Sequence, residues 1–116
     1  MSDFGSLLRR LRKEKRITQR RMAELVGIDF TYISKIENGT MDPPAEDKII
    51  RMAEVLEVDP EDLIIAANKI PTRFRDLITS NEQVPVFLRK ASRLTPEHWE
   101  KIREVLDEVP EEDGKP

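Results

Sequence analysis

The tightest constraint on this chain is a three-residue connection. Residues 18–39 read TQRRMAELVGIDFTYISKIENG. Met22, Leu25 and Val26 form one apolar face, Ile33 and Ile36 another, and only Gly27-Ile28-Asp29 separates the two segments. Both patterns have helical spacing. Three residues are too few for a long connection, so the two helices must meet closely. The first must then present a small side chain at the contact, and Ala23 stands there. The turn needs a residue that tolerates positive φ, and Gly27 supplies it. Thr18 can cap the first helix and Asp29 the second. Asn38-Gly39 ends the second. With Ile33 and Ile36 holding it down, the helix over 29–37 keeps its other face free.

The rest of the chain also reads as helix. Phe4, Leu7, Leu8 and Leu11 make one stripe, with Ser2 or Asp3 as a cap. The prolines Pro43 and Pro44 can open a helix whose stripe is Ile49, Ile50, Ala53 and Leu56. Asp59 and Pro60 place a cap and an N1 proline before Leu63, Ile64 and Ala67. Five short helices therefore fit residues 3–69, with no strand pattern. A compact unit of that size needs helix-dense packing or a partner chain. Residues 70–83 are weakly periodic and read as a linker with a turn or two of helix. Val86, Phe87 and Leu88 begin a further helix ending near Ser92. Thr95-Pro96 opens the last, whose narrow seam is Trp99, Ile102, Val105, Leu106 and Val109. The ending, over 110–116, is a polar tail expected to be disordered.

Charge is distributed unevenly. The net charge is −3, a poor match to a polyanion. Yet Arg9 to Arg21 holds eight basic residues against Glu14 alone, while Met41 to Leu63 holds eight acids against Lys48 and Arg51. A local positive face can steer a polyanion whatever the total. A solvated helix face is the competing reading of the same run.

Several classes are disfavoured. There is no cysteine, which removes disulfides, thiolate metal sites and thiol chemistry. His98 is the one histidine and has no clustered ligands. No phosphate-binding glycine loop and no nucleophile with a base are visible, so no enzyme, metal or cofactor is expected. No apolar run approaches a membrane span and no signal peptide is evident, so a cytoplasmic location is expected.

The segment Gln19 to Asn38, with LLRRLRKEKRIT before it and PPAEDKIIRMAEVLEVDPEDL after it, resembles the Cro/C1-type (XRE) family of helix-turn-helix repressors. The small residue, the glycine, the two β-branched anchors and IENG stand in register. The resemblance implies an all-α chain: a five-helix lambda-repressor-like DNA-binding domain over residues 1–69, then a short helical dimerisation segment over 84–109. It implies an operator of double-stranded DNA bound by a homodimer, with the third helix in the major groove. Base-reading positions would fall on Phe30, Thr31 and Lys35, with Ser34 beside them. Gln19 would meet a phosphate or neighbouring base, and Asn38 and Thr40 the DNA backbone. Arg20 lies where side chains meet phosphate; Tyr32 flanks the helix, its hydroxyl directed to phosphate. An internal ion pair of Arg12 with Glu37 is implied as well. Many members carry glutamine at a reading position. Phe30 departs from that pattern and can offer only an apolar contact, most simply to a thymine methyl.

The C-terminal segment carries its own expectation. Its seam is too short to bury itself, so Phe87, Leu88, Trp99, Ile102, Val105 and Leu106 are expected to dimerise. LIIAANKIP with FLRKASRLTPEHWEKIREVL is also similar to regulators in which an antagonist protein or a peptidase acts on this region. The alternative function is a protein-interaction regulator or antitoxin that works mainly through these C-terminal helices.

Overall fold

The computed structural model describes residues 4–111. The cap expected at Ser2 or Asp3, and the tail beyond Glu111, lie outside the described residues. Those residues are all-helical, with α1 (Phe4–Glu14), α2 (Gln19–Val26), α3 (Phe30–Glu37), α4 (Glu46–Leu56), α5 (Pro60–Ala66), α6 (Thr72–Ser80), α7 (Gln83–Ala91) and α8 (Pro96–Asp107). The chain divides into two compact units, one ending at Arg75 and one beginning at Asp76. Most of the stretch expected as a linker is therefore the helix α6, and the boundary falls within it.

The N-terminal unit closes a core from every one of its first five helices. Phe4 and Leu8 of α1, Met22 and Val26 of α2, Ile33 and Ile36 of α3, Ile49 and Met52 of α4, and Leu63 and Ile64 of α5 are all buried. Packing partners are α1 with α3, α2 with α3, α2 with α4, and α4 with α5. Met52 is a core residue that the stripe over α4 did not include, while Ile50 is only half-buried.

Two close approaches set the position of α3. The Thr18 hydroxyl accepts from the Arg21 amide, fixing the start of α2. Gly27, at φ +84°, stops α2 in the left-handed region, and Ala23 is buried beside it. At the other side, a Cβ on Gly5 would collide with the backbone carbonyl of Ile36. Glycine at position 5 lets α1 approach the end of α3 to backbone distance.

Two local expectations are corrected. Asp29 occupies the N-cap of α3 but makes no side-chain bond to the helix amides. The Thr31 hydroxyl donates to its carboxylate instead, at 3.0 Å. Pro43 and Pro44 do not open α4; its N-cap is Ala45, and Pro44 is buried before it. Proline's lack of an N–H costs nothing in such an extended lead-in.

In the C-terminal unit no residue of α7 or α8 is buried. α8 nonetheless has both halves of a capping box. The Thr95 hydroxyl accepts from the His98 amide, and the Thr95 amide donates to His98 Nδ1, each at 3.1 Å. Phe87 and Trp99 meet edge-to-face, 6.1 Å between centroids.

Candidate nucleic-acid interface

Glu37, at the last turn of α3, organises the surface around it. Its carboxylate takes two bonds from Arg12, Nε to Oε2 and Nη2 to Oε1, both 2.8 Å. Gln19 Nε2 donates to Oε1 at 3.0 Å, and Arg9 Nε reaches the same oxygen at 3.5 Å. Arg12 also donates to the Ile17 carbonyl at 2.8 Å. One guanidinium thus ties α1, α3 and the loop before α2 together. Burial pushes the Glu37 carboxyl up, but the hydrogen bonds from Arg12, Gln19 and Arg9 and the charge of Arg12 outweigh it, leaving it below its ordinary value. The bond to Glu37 raises Arg12 against the opposing effect of burial.

This network occupies several groups expected at DNA. One amide hydrogen of Gln19 is spent on Glu37. Asn38 Oδ1 accepts from Arg9 Nη2 at 3.1 Å. Thr40 donates its hydroxyl to the Lys35 carbonyl at 3.2 Å, closing the end of α3. The Thr31 hydroxyl is held by Asp29. Phe30 and Tyr32 are half-buried and pack against the core. Arg20, across the turn, places its guanidinium carbon 4.2 Å from the Phe30 ring centroid.

What stays free is narrower than the expected set. Arg20 and Lys35 are exposed, and neither side chain makes a hydrogen bond or ion pair with any described residue. By contrast, Arg21 pairs with Glu24 at 3.0 Å and Arg10 with Glu14 at 3.6 Å. Ser34 is half-buried beside Lys35. With Glu37 sequestered, α3 shows no acid on its outer face; Asp29 stays at the cap.

A helix-turn-helix family model matches residues 8–63, which span α2, the Gly27 turn and α3. Over this segment the chain is similar to the Cro/C1-type helix-turn-helix family. It is 43% identical over 70 residues to the HTH-type transcriptional regulator RghRB of Bacillus subtilis (strain 168), covering 60% of this chain and 50% of that protein. It is 37% identical over 70 residues to the HTH-type transcriptional repressor RghR of the same organism, covering 60% of this chain and 52% of that one. The chain spans about half the length of these curated relatives. A SinR protein/SinI protein complex gives a TM-score of 0.50 at 24% identity, covering 90% of this chain and 91% of that chain. That likeness concerns the fold alone.

Within this helix-turn-helix, sequence reasoning missed Arg9, which bridges Glu37 and Asn38. The signal was present: Arg9 and Arg12 are three residues apart and share one face of α1. The Arg20–Phe30 contact was also missed, because its partners lie on different helices.

No helix of the described residues is long and apolar enough to cross a membrane. No group of His, Cys, Asp and Glu among them is arranged to hold a metal ion.

Proposed function

We infer that this chain is a transcriptional repressor that binds double-stranded operator DNA as a homodimer, with α3 in the major groove, and that it acts in the cytoplasm. One observation carries the reading: α3 turns a face with no acid outward, because its single carboxylate is buried and neutralised. Lys35 and Arg20 flank that face with their donors unspent. A recognition helix needs this combination, since donors on the outer face read base edges while phosphate contacts set register. Phe30, Thr31, Ser34 and Lys35 are assigned to bases. Gln19, Tyr32, Asn38 and Thr40 are assigned to the backbone and its neighbouring base. The names of the relatives, a regulator and a repressor, support the same class.

The homodimer rests on the C-terminal unit. Trp99, Val105 and Leu106 are 45%, 60% and 61% exposed. With Phe87 and Ile102 they line an apolar groove of about 530 Å³. An uncovered seam of this kind marks an association surface, and two-fold symmetry in the protein matches two half-sites one helical turn apart.

Selection of bound sequences from a random duplex library tests the DNA reading. An enriched motif is expected, with affinity falling against salt at a slope of about −0.9 per phosphate contact. No enrichment and no salt dependence would defeat it. In Lys35→Ala, loss of preference at one base position identifies a base contact; a uniform loss identifies a phosphate contact.

The exposed seam also fits a second reading, in which another protein, an antagonist or a peptidase, covers the C-terminal helices of an antitoxin-like regulator. Sedimentation separates the two. Self-association at micromolar concentration is expected, whereas a persistent monomer assigns the seam to a different partner.

A further inference from the structure

Arg20 lies in the first turn of α2 and Phe30 is the first residue of α3. The tight turn between the helices brings these two side chains together, the guanidinium carbon 4.2 Å above the ring. Several basic residues of the N-terminal unit are spent within it. Arg9 and Arg12 serve Glu37, Arg10 serves Glu14, Lys15 serves Glu57 and Arg21 serves Glu24. Arg20 alone among these arginines has no polar partner among the described residues. The ring face is not a conventional acceptor, so the five N–H donors of its fork remain available. The contact holds an otherwise mobile side chain at the exposed end of the recognition helix.

We propose that Arg20 and Phe30 form one reading unit for two consecutive base pairs: the Arg20 fork donates to O6 and N7 of a guanine, and the rim of Phe30 contacts the C5 methyl of the neighbouring pyrimidine. The spacing supports this. The 4.2 Å between the guanidinium carbon and the ring centroid is close to the step between successive base pairs, which rise about 3.4 Å in B-form DNA. The chemistry matches as well. A forked arginine is the commonest reader of guanine in the major groove, and an apolar side chain recognises the thymine methyl. This makes Arg20 a specificity residue, whereas its place at the start of α2 alone points to a phosphate. The methyl is shared by thymine and 5-methylcytosine, so the unit also responds to cytosine methylation at that step. The inference rests on the DNA-binding reading above.

Base analogues in the selected operator test it with the full chain. Replacing the thymine beside the guanine by uracil removes only the methyl, and binding should weaken about fourfold, the worth of one buried methyl group. Replacing the guanine by 7-deazaguanine removes N7, and binding should weaken about tenfold. At the same position, 5-methylcytosine paired with guanine should bind tighter than cytosine by the uracil factor, which separates the methyl itself from thymine as its source. Phe30→Ala should abolish the response to the methyl, and Arg20→Met, which keeps an apolar stem but has no donor, the response to 7-deazaguanine. Wild-type binding indifferent to uracil and 7-deazaguanine throughout the site overturns the unit and leaves the DNA reading standing. Failure to select any operator removes both.

Discussion

The two units of this chain are built from helices of similar length, and they solve opposite problems. In the N-terminal unit α3 and α4 begin without a side-chain cap bond, yet their apolar faces are buried. In the C-terminal unit α8 begins with a complete capping box and an N1 proline, yet none of its residues is buried. Good local signals and good burial are thus separable. Helix ends are specified by neighbours in the chain, whereas a closed core depends on faces arriving from other helices. The N-terminal unit is held by tertiary packing, with a charged hub at one end. The C-terminal unit is held by local signals and by the Phe87–Trp99 contact, and offers its seam to a cover.

The largest effect that would test this contrast is at Glu37. Glu37→Ala leaves Arg12 buried without its partner and should cost the N-terminal unit about 3 to 5 kcal/mol in a urea melt. Equal stability would mean that the hub is not what holds α1 to α3. The pH dependence has a definite sign. Because the folded carboxyl lies below its ordinary value of 4.5, its contribution is fully present above that value. It is lost as pH falls through the lower folded value. Melts between pH 6 and 3 should show this fall in the wild type, and a reduced one in Glu37→Gln.

Gly5→Ala comes next. The added methyl meets the Ile36 carbonyl, and separating α1 from α3 should cost about 1 to 3 kcal/mol. A neutral result in the same melt would show that α1 can slide without loss. On the other side of the comparison, Leu106→Lys places a charge in the exposed seam. It should weaken self-association at least about tenfold, or roughly 1.4 kcal/mol, while the N-terminal unit melts as before. Sedimentation with a parallel melt reads both. The smallest effect is Thr95→Ala, which removes the cap of α8 and should cost about 1 kcal/mol locally. Faster hydrogen exchange is expected at the α8 amides, with those of α1 to α5 unchanged. If both units respond, they are coupled rather than independent.

Much of the domain was legible in one dimension. Gly27 and Ala23 announced the turn and the crossing, and Thr18, Asp59 and Thr95 announced the helix starts that they cap. Other helix ends carried no such mark. Arg16 and Glu57 adopt left-handed conformations at φ 59° and 61° where α1 and α4 stop, and neither residue type advertises that geometry. The seam of α8 was visible as a pattern, but a pattern does not say what covers it.

The same division applies to the surface around α3. Chain-local signals determined that two short helices meet across three residues, that Ile33 and Ile36 hold the second one down, and that its other face carries Thr31, Ser34 and Lys35. Only the tertiary structure decided which of the many polar groups there are still available. The side chains of Gln19, Asn38, Thr31 and Thr40 have hydrogen-bond partners inside the domain, while those of Arg20 and Lys35 do not. Arg20 is further paired with an aromatic ring ten positions away. Periodicity assigns a side chain to a face of its own helix, because the backbone fixes that direction. It cannot say which group from another helix arrives at hydrogen-bonding distance, because the packing of all the helices together sets that meeting.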